Sequence, residues 1–227
     1  MAVAFDAFTA STAGIGNLTI THSPVGTPRA AIVFVVQNAN ANDRVSGVTY
    51  GTDAMTEMTG SPLAKGTGQT SVIYGYFLGT SIPTGDQTVT VTVTAGATKQ
   101  AGVITLTAGA DTTIQDVDAT ITSDSLENPS VTLSAGGNTV FAAIGFHSGI
   151  PDPANITPLT NWTARLEEDF GSATGGWYTF DTIGASDVTA GWTQGADDAQ
   201  MIAVAVTEVA APSTTHPGWV SSRGGWF

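Results

Sequence analysis

The sequence predicts an all-β protein: a two-sheet antiparallel β-sandwich, jelly-roll-like, followed by an extended C-terminal tail. Three observations carry that reading. Thr88–Thr94 runs TVTVTVT, placing Val89, Val91 and Val93 on one face and threonines on the other, the period-2 alternation of a half-buried strand. The chain holds 37 Thr and 27 Gly but only 11% charged residues, so β-branched and turn residues abound where helix formers are scarce. Turn signals divide it into roughly a dozen short runs, the spacing expected of a sandwich or barrel.

Taken in order, Ala2–Phe8 begins as an apolar strand and Leu18–His22 is a second short one. Ala30–Gln37 (AAIVFVVQ) is apolar on both faces, which predicts a central strand covered on both sides. Asn38–Asp43 is a polar loop. Val45–Tyr50 and Ala54–Met58 flank Gly51-Thr52-Asp53 and read as a hairpin or tight corner. Ser71–Leu78 is an aromatic strand, and Pro83 with Gly85 turns the chain into Thr88–Thr94. Val103–Thr107 follows, then the alternating Val117, Ala119 and Ile121.

Val131–Leu133 and Thr139–His147 read as a hairpin, with Gly145 hinting at a bulge or a close backbone approach. Ile150–Asn161 contains Pro151, Pro153 and Pro158 and is a loop. Trp162–Phe170, Trp177–Ile183, Ala190–Trp192 and Met201–Val209 complete the strands. No exact repeat is visible. No linker cleanly divides the chain, Asp111–Asn128 being a soft candidate, and one two-sheet domain over Met1–Ala210 is favoured over two.

Composition also excludes. A net charge of −13, with 19 acids against 6 bases, argues against nucleic acid and against docking on anionic lipid, both of which need clustered Lys and Arg. The absence of cysteine removes disulfides, thiol catalysis and cysteine–metal sites. MAVAFDAFTA lacks a basic segment followed by a long apolar core, so no signal peptide is expected, and no apolar run reaches the length that spans a bilayer. Together these predict a protein made in a reducing host cytoplasm and exposed later, as by virion assembly and lysis.

Ala211–Phe227 (APSTTHPGWVSSRGGWF) changes character. It carries no acid in a strongly acidic chain, and it holds Trp219, Arg223, Trp226 and Phe227. Aromatic anchors of this kind bury large areas when an extended segment docks. Two readings stand: the tail folds back on its own sheet, or it crosses to another subunit or a larger assembly.

The segment Val48–Thr56, VTYGTDAMT, resembles the Val-Thr-Tyr-Gly-Gly-x-Ala-Met-Thr stretch of a recurrent β-sandwich module found in tailed-phage structural proteins and some bacterial surface proteins. In that module an aromatic strand comes next, as Ile73–Leu78 does here, leading through Pro83 and Gly85 into Thr88–Thr94. Ala101–Asp111, Gly191-Trp192 and Met201–Val209 continue the likeness, which thus spans most of Met1–Ala210. Thr52 stands where the module has Gly, and the tail lies outside the resemblance. The resemblance implies a jelly-roll or concanavalin-like sandwich on the outside of a particle. Its role there would be binding rather than catalysis, as a capsid decoration or head/tail appendage protein. Its partners would be a major capsid or tail protein and copies of itself. No catalytic residue carries over.

Other chemistry is weaker. His22, His147 and His216 lie far apart and in no metal-binding pattern. There is no G-x-S-x-G elbow, and His147-Ser148 beside Asp152 is adjacency rather than a triad. Glu167, Glu168, Asp169 and Asp181 lie near Trp162, Trp177 and Trp192, the residue types of a sugar site. Packing of these tryptophans in the sandwich interior or rim is favoured over a glycan-binding surface. No cofactor is expected. A structural calcium is left open at Asn38–Asp43, Asp116/Asp118, Asp152 or Asp197-Asp198, none with EF-hand spacing, against the plainer reading of turn acids.

Overall fold

The computed structural model describes residues 2–38, 45–64, 71–94, 98–122, 130–134, 139–147, 157–158, 160, 162–169, 176–184, 188–193 and 199–209. Within them the chain is all-β. The first ten strands are β1 (Ala4–Ala10), β2 (Leu18–His22), β3 (Pro28–Asn38), β4 (Val45–Tyr50), β5 (Asp53–Ala54), β6 (Thr56–Glu57), β7 (Leu63–Ala64), β8 (Ser71–Leu78), β9 (Gln87–Val93) and β10 (Thr98–Thr107). The rest are β11 (Thr112–Thr122), β12 (Ser130–Leu133), β13 (Thr139–His147), β14 (Thr157–Pro158), β15 (Thr163–Asp169), β16 (Gly176–Gly184), β17 (Val188–Thr193) and β18 (Ala199–Glu208). Every pairing among the described strands is antiparallel.

The antiparallel β-sandwich that the sequence predicts is present, and it is doubled: among the described residues there are four sheets rather than two. Sheet I is β2-β9-β4-β5 and sheet II is β1-β10-β3-β8-β6, with β7 also on β8. Sheet III is β11-β18-β13-β16-β15 and sheet IV is β12-β17-β14. Three apolar layers hold them in the order I–II–III–IV. Ile20, Val48, Val89 and Val91 of sheet I meet Val33, Val35, Tyr74 and Val103 of sheet II. The opposite face of sheet II, with Ile32, Phe34, Ile104 and Leu106, meets Val140, Ile202, Val204 and Val206 of sheet III. Met201, Ala203 and Ala205 then meet Val131, Leu133 and Ala190 of sheet IV.

Sheets II and III are therefore covered on both faces. This is why β3 runs AAIVFVV with every residue from Ala30 to Val36 fully buried, and why β18 runs MIAVAV. In β9, half-covered, only the valines turn inward: Val89 and Val91 are fully buried while Thr88 and Thr92 are exposed.

The two halves share one topology. Replacing β1, β10, β3, β8 and β6 by β11, β18, β13, β16 and β15 converts the order of sheet II into that of sheet III. The same replacement turns β2-β9-β4 into β12-β17-β14. Even the irregularity repeats. β1 slips register between Phe5 and Ala7, opposite Leu106 and Thr105. β11 slips between Ile114 and Asp116, opposite Val206 and Ala205. Gln100 and Gln200 hold the same place, paired with Val36 and Phe146 respectively. The crossover between halves is residues 108–111, and both halves feed the central apolar layer.

Three further sequence readings change. Ile150–Asn161 is not loop throughout, since Thr157–Pro158 forms β14 and pairs with β17 despite its proline. β12 and β13 do not form a hairpin: β12 pairs with β17, while β13 pairs with β16 and β18 in another sheet. Period-2 alternation fixes which face a strand buries but not which strand it joins, and here the chain crosses between layers. Gly145 makes no bulge, since β13 keeps unbroken register with both neighbours through it.

Candidate functional site

The most elaborate polar constellation lies at the corner where β1 passes into β2, between sheets I and II. β2 reads LTITH with alternate residues Leu18, Ile20 and His22 buried. A histidine thus occupies an apolar position, and it is fully buried. Its Nδ1 lies 2.9 Å from Thr9 Oγ1 on β1, and its Nε2 lies 3.0 Å from Thr105 Oγ1 on β10. Thr105 Oγ1 in turn donates to Asp6 Oδ2 at 2.9 Å, and Asp6 Oδ1 accepts the Gly26 amide at 2.7 Å.

These partners assign the ring's proton. The Thr105 hydroxyl hydrogen is committed to a carboxylate, so Thr105 accepts from Nε2–H, and Nδ1 accepts from the Thr9 hydroxyl. His22 is neutral in this arrangement. Burial lowers its pKa from the ordinary 6.5, and the Asp6 carboxylate opposes that shift. Asp6 owes its position to the β1 bulge, since the residue between Phe5 and Ala7 is the unpaired one.

Tyr50, the last residue of β4, meets His22 edge-on with ring centroids 6.1 Å apart. It is fully buried, and its hydroxyl has no hydrogen-bond partner among the described residues. Burial, reinforced by Asp6, pushes its pKa up to about 12. The segment VTYGTDAMT forms the corner just beyond. Tyr50 pairs with Asp53, Gly51 takes φ +61° at the first turn position, and Met55 returns into the same core as Tyr50. Thr52 has no positive φ, so glycine is needed at the first turn position only.

Chemically the chain Thr9–His22–Thr105–Asp6 is a wired path for a proton. It does not offer a nucleophile to a substrate, because His22 and Thr105 are both fully buried and Thr105 separates the acid from the imidazole. The second half keeps only part of this corner. Asp116, beside the β11 bulge, accepts the Ser134 amide at 2.7 Å, as Asp6 does with Gly26. Ala205 stands where Thr105 does, Gln115 where Asp6 does, and β12 ends on buried Leu133 where β2 ends on His22.

The tryptophans expected to mark a sugar site fall on separate elements. Trp162 precedes β15, packs against the layer between sheets III and IV, and donates its indole N–H to the Thr189 carbonyl at 3.0 Å. Trp192 lies on β17 of sheet IV, paired with Pro158. Trp177 lies on β16 of sheet III, between Phe146 and Glu168. The expected anchors Trp219, Arg223, Trp226 and Phe227 lie outside the described residues.

Of the suggested calcium loops, Asp116 is engaged with Ser134 and Asp118 with the Ala119 amide at 2.8 Å. Asp152, Asp197 and Asp198 lie outside the described residues, as does most of Asn38–Asp43. Among the described residues no three His, Asp or Glu side chains converge as a metal site.

Sequence reasoning passed over the His22 corner. Its partners lie 13 and 83 residues away, and the one local signal is a histidine continuing the buried face of Leu18 and Ile20. No protein-family model, curated protein or solved structure matches the chain.

Proposed function

We propose that the chain is a non-enzymatic structural protein of a tailed-phage particle, a capsid decoration or head/tail appendage displayed on the virion surface. Its partners are then a capsid or tail protein and further copies of itself. The observation that carries this reading is the contrast between the closed slab and the segment after it. The inner sheets are buried on both faces and the polar corner is sealed. The acid-free segment Ala211–Phe227 supplies Trp219, Arg223, Trp226 and Phe227 as anchors. The corner at Val48–Thr56, which carries the resemblance to such modules, supports it too: Tyr50 and Met55 both plug the core there.

The test is solution mass by light scattering on the full chain, on a Trp226→Ala/Phe227→Ala variant, and on Met1–Ala210. A defined oligomer that becomes a folded monomer in both altered forms supports assembly through the arm. Monomers throughout would remove that support.

A second reading, a glycan-binding adhesion module, draws on Trp162, half-buried with its indole on the Thr189 carbonyl of β17, the strand whose sequence also carries Trp192. It predicts a glycan-array signal that is lost in Trp192→Ala while folding persists.

A further inference from the structure

The corner built from Thr9, His22, Thr105 and Asp6 exceeds what the fold requires. The second half has the equivalent bulge with a single carboxylate, Asp116, on a backbone amide, and Ala205 stands where Thr105 does. The first half adds a buried imidazole that ties three strands together: β1 through Thr9 and, by way of Thr105, through Asp6; β10 through Thr105; and its own β2. These strands belong to two sheets, so the ring is a rivet between sheet I and sheet II.

We propose that this corner is an acid-released latch: protonation of His22 opens the β1–β2 edge of the first sandwich and leaves the second closed. The neutral ring accepts at Nδ1 and donates at Nε2. The imidazolium donates from both nitrogens, so the Thr9 hydroxyl loses its acceptor and a cation sits between two apolar sheets. The groups facing the ring are the Asp6 carboxylate and the Thr9 hydroxyl from β1, the Thr105 hydroxyl from β10, the Tyr50 phenol from β4 and the paired Gln87 of β9. From β3, Arg29 instead reaches toward Asp111, 3.8 Å away. Asp6 is the one anion in this set. It already accepts the Thr105 hydroxyl and the Gly26 amide, and it touches the ring only through Thr105.

Linkage sets the sign. The folded pKa lies below the ordinary 6.5, because burial outweighs Asp6. Above pH 6.5 both states are neutral and the corner is fully stable. As pH falls from 6.5 through the folded pKa, the opened state takes the proton first and the corner weakens.

The experiment is hydrogen–deuterium exchange on the full chain at about pH 8 and about pH 5, bracketing the histidine range, with correction for intrinsic rates. At the lower pH, peptides of β1 and β2 are expected to open several-fold more often, up to the limit of about thirtyfold that an opened imidazole of ordinary pKa 6.5 sets at about pH 5. Those of β11 and β12 should not change, and His22→Gln should abolish the difference. Should that variant not fold, NMR titration of the wild-type imidazole decides alone. A His22 pKa at or above 6.5, or equal acid sensitivity in both halves, overturns the proposal; a lower pKa supports it.

Discussion

Gly79 lies directly against Thr112. The Thr112 amide donates to the Gly79 carbonyl at 2.8 Å, and a Cβ on Gly79 would come 2.3 Å from the Thr112 carbonyl oxygen. This is the seam where the first half, leaving β8, meets the first strand of the second. Thr112 Oγ1 also donates to the Arg29 carbonyl at 2.8 Å, tying the seam to β3. Nearby, the Gly109 amide donates to the Glu208 carboxylate and holds its pKa below the ordinary value.

Gly79→Ala is therefore expected to destabilise by at least about 2 kcal/mol, because the obstacles are backbone and the Phe77 ring rather than a flexible side-chain end. Chemical denaturation of the variant measures it, and a cost under half a kilocalorie would mean that the seam yields.

Tyr50→Phe should gain stability. Among the described residues the wild-type hydroxyl is buried without a partner, and an unsatisfied buried group costs about 1–3 kcal/mol, part of which its removal recovers. A higher melting temperature is the expected result.

The same residue sets an alkaline limit. The phenol's folded pKa of about 12 lies above its ordinary 10.0, so the unfolded state loses the proton first. Stability from this group is complete below pH 10 and falls as pH rises toward the folded value, by about 1.4 kcal/mol per unit. Comparing wild type with Tyr50→Phe across that window isolates the effect; parallel curves would show that Tyr50 does not titrate there.

Arg165, on β15 of sheet III, sits with its guanidinium carbon 3.5 Å from the ring centroid of Phe5, on β1 of sheet II. Removing it in Arg165→Ala should cost about 1 kcal/mol, with a smaller loss for Arg165→Lys. A double-mutant cycle with Phe5→Leu separates the pair from either residue's other contacts, and a coupling near zero would show that the stack contributes nothing.

Trp162→Phe should cost about 1 kcal/mol through the lost bond to the Thr189 carbonyl, and Trp162→Ala about 3 kcal/mol through the lost packing. Thermal melts of both variants give the comparison. They also tell a glycan array whether a lost signal reflects Trp162 itself or a loosened sheet IV.

Much of the layering was legible in the sequence. Ala30–Gln37 is apolar on both faces because β3 sits in a sheet with a partner layer above and below. The valines of Thr88–Thr94 alternate because sheet I is covered once. The doubling was not legible, since burial constrains only polarity and size. Ile32 answers to Ala142 and Phe34 to Ile144, by their pairing with Ile104, Val204, Gly102 and Ile202. Loops of unequal length then shift the offset between matching strands, so no period appears. The His22 corner escaped for a related reason, being assembled from β1, β2 and β10 across most of the first half.

The doubled architecture also bears on how the protein is made. β10 ends at Thr107 and β18 ends at Glu208, so the ribosome finishes one sandwich about a hundred residues before the other. At typical elongation rates the face carrying Ile32, Phe34, Ile104 and Leu106 waits about 5–20 s for its cover. During that interval it is a sticky surface beside other nascent chains on the same message. The crossover at residues 108–111 is the remedy. So short a tether keeps the emerging second half at a far higher local concentration than any neighbour's, and each chain closes on itself.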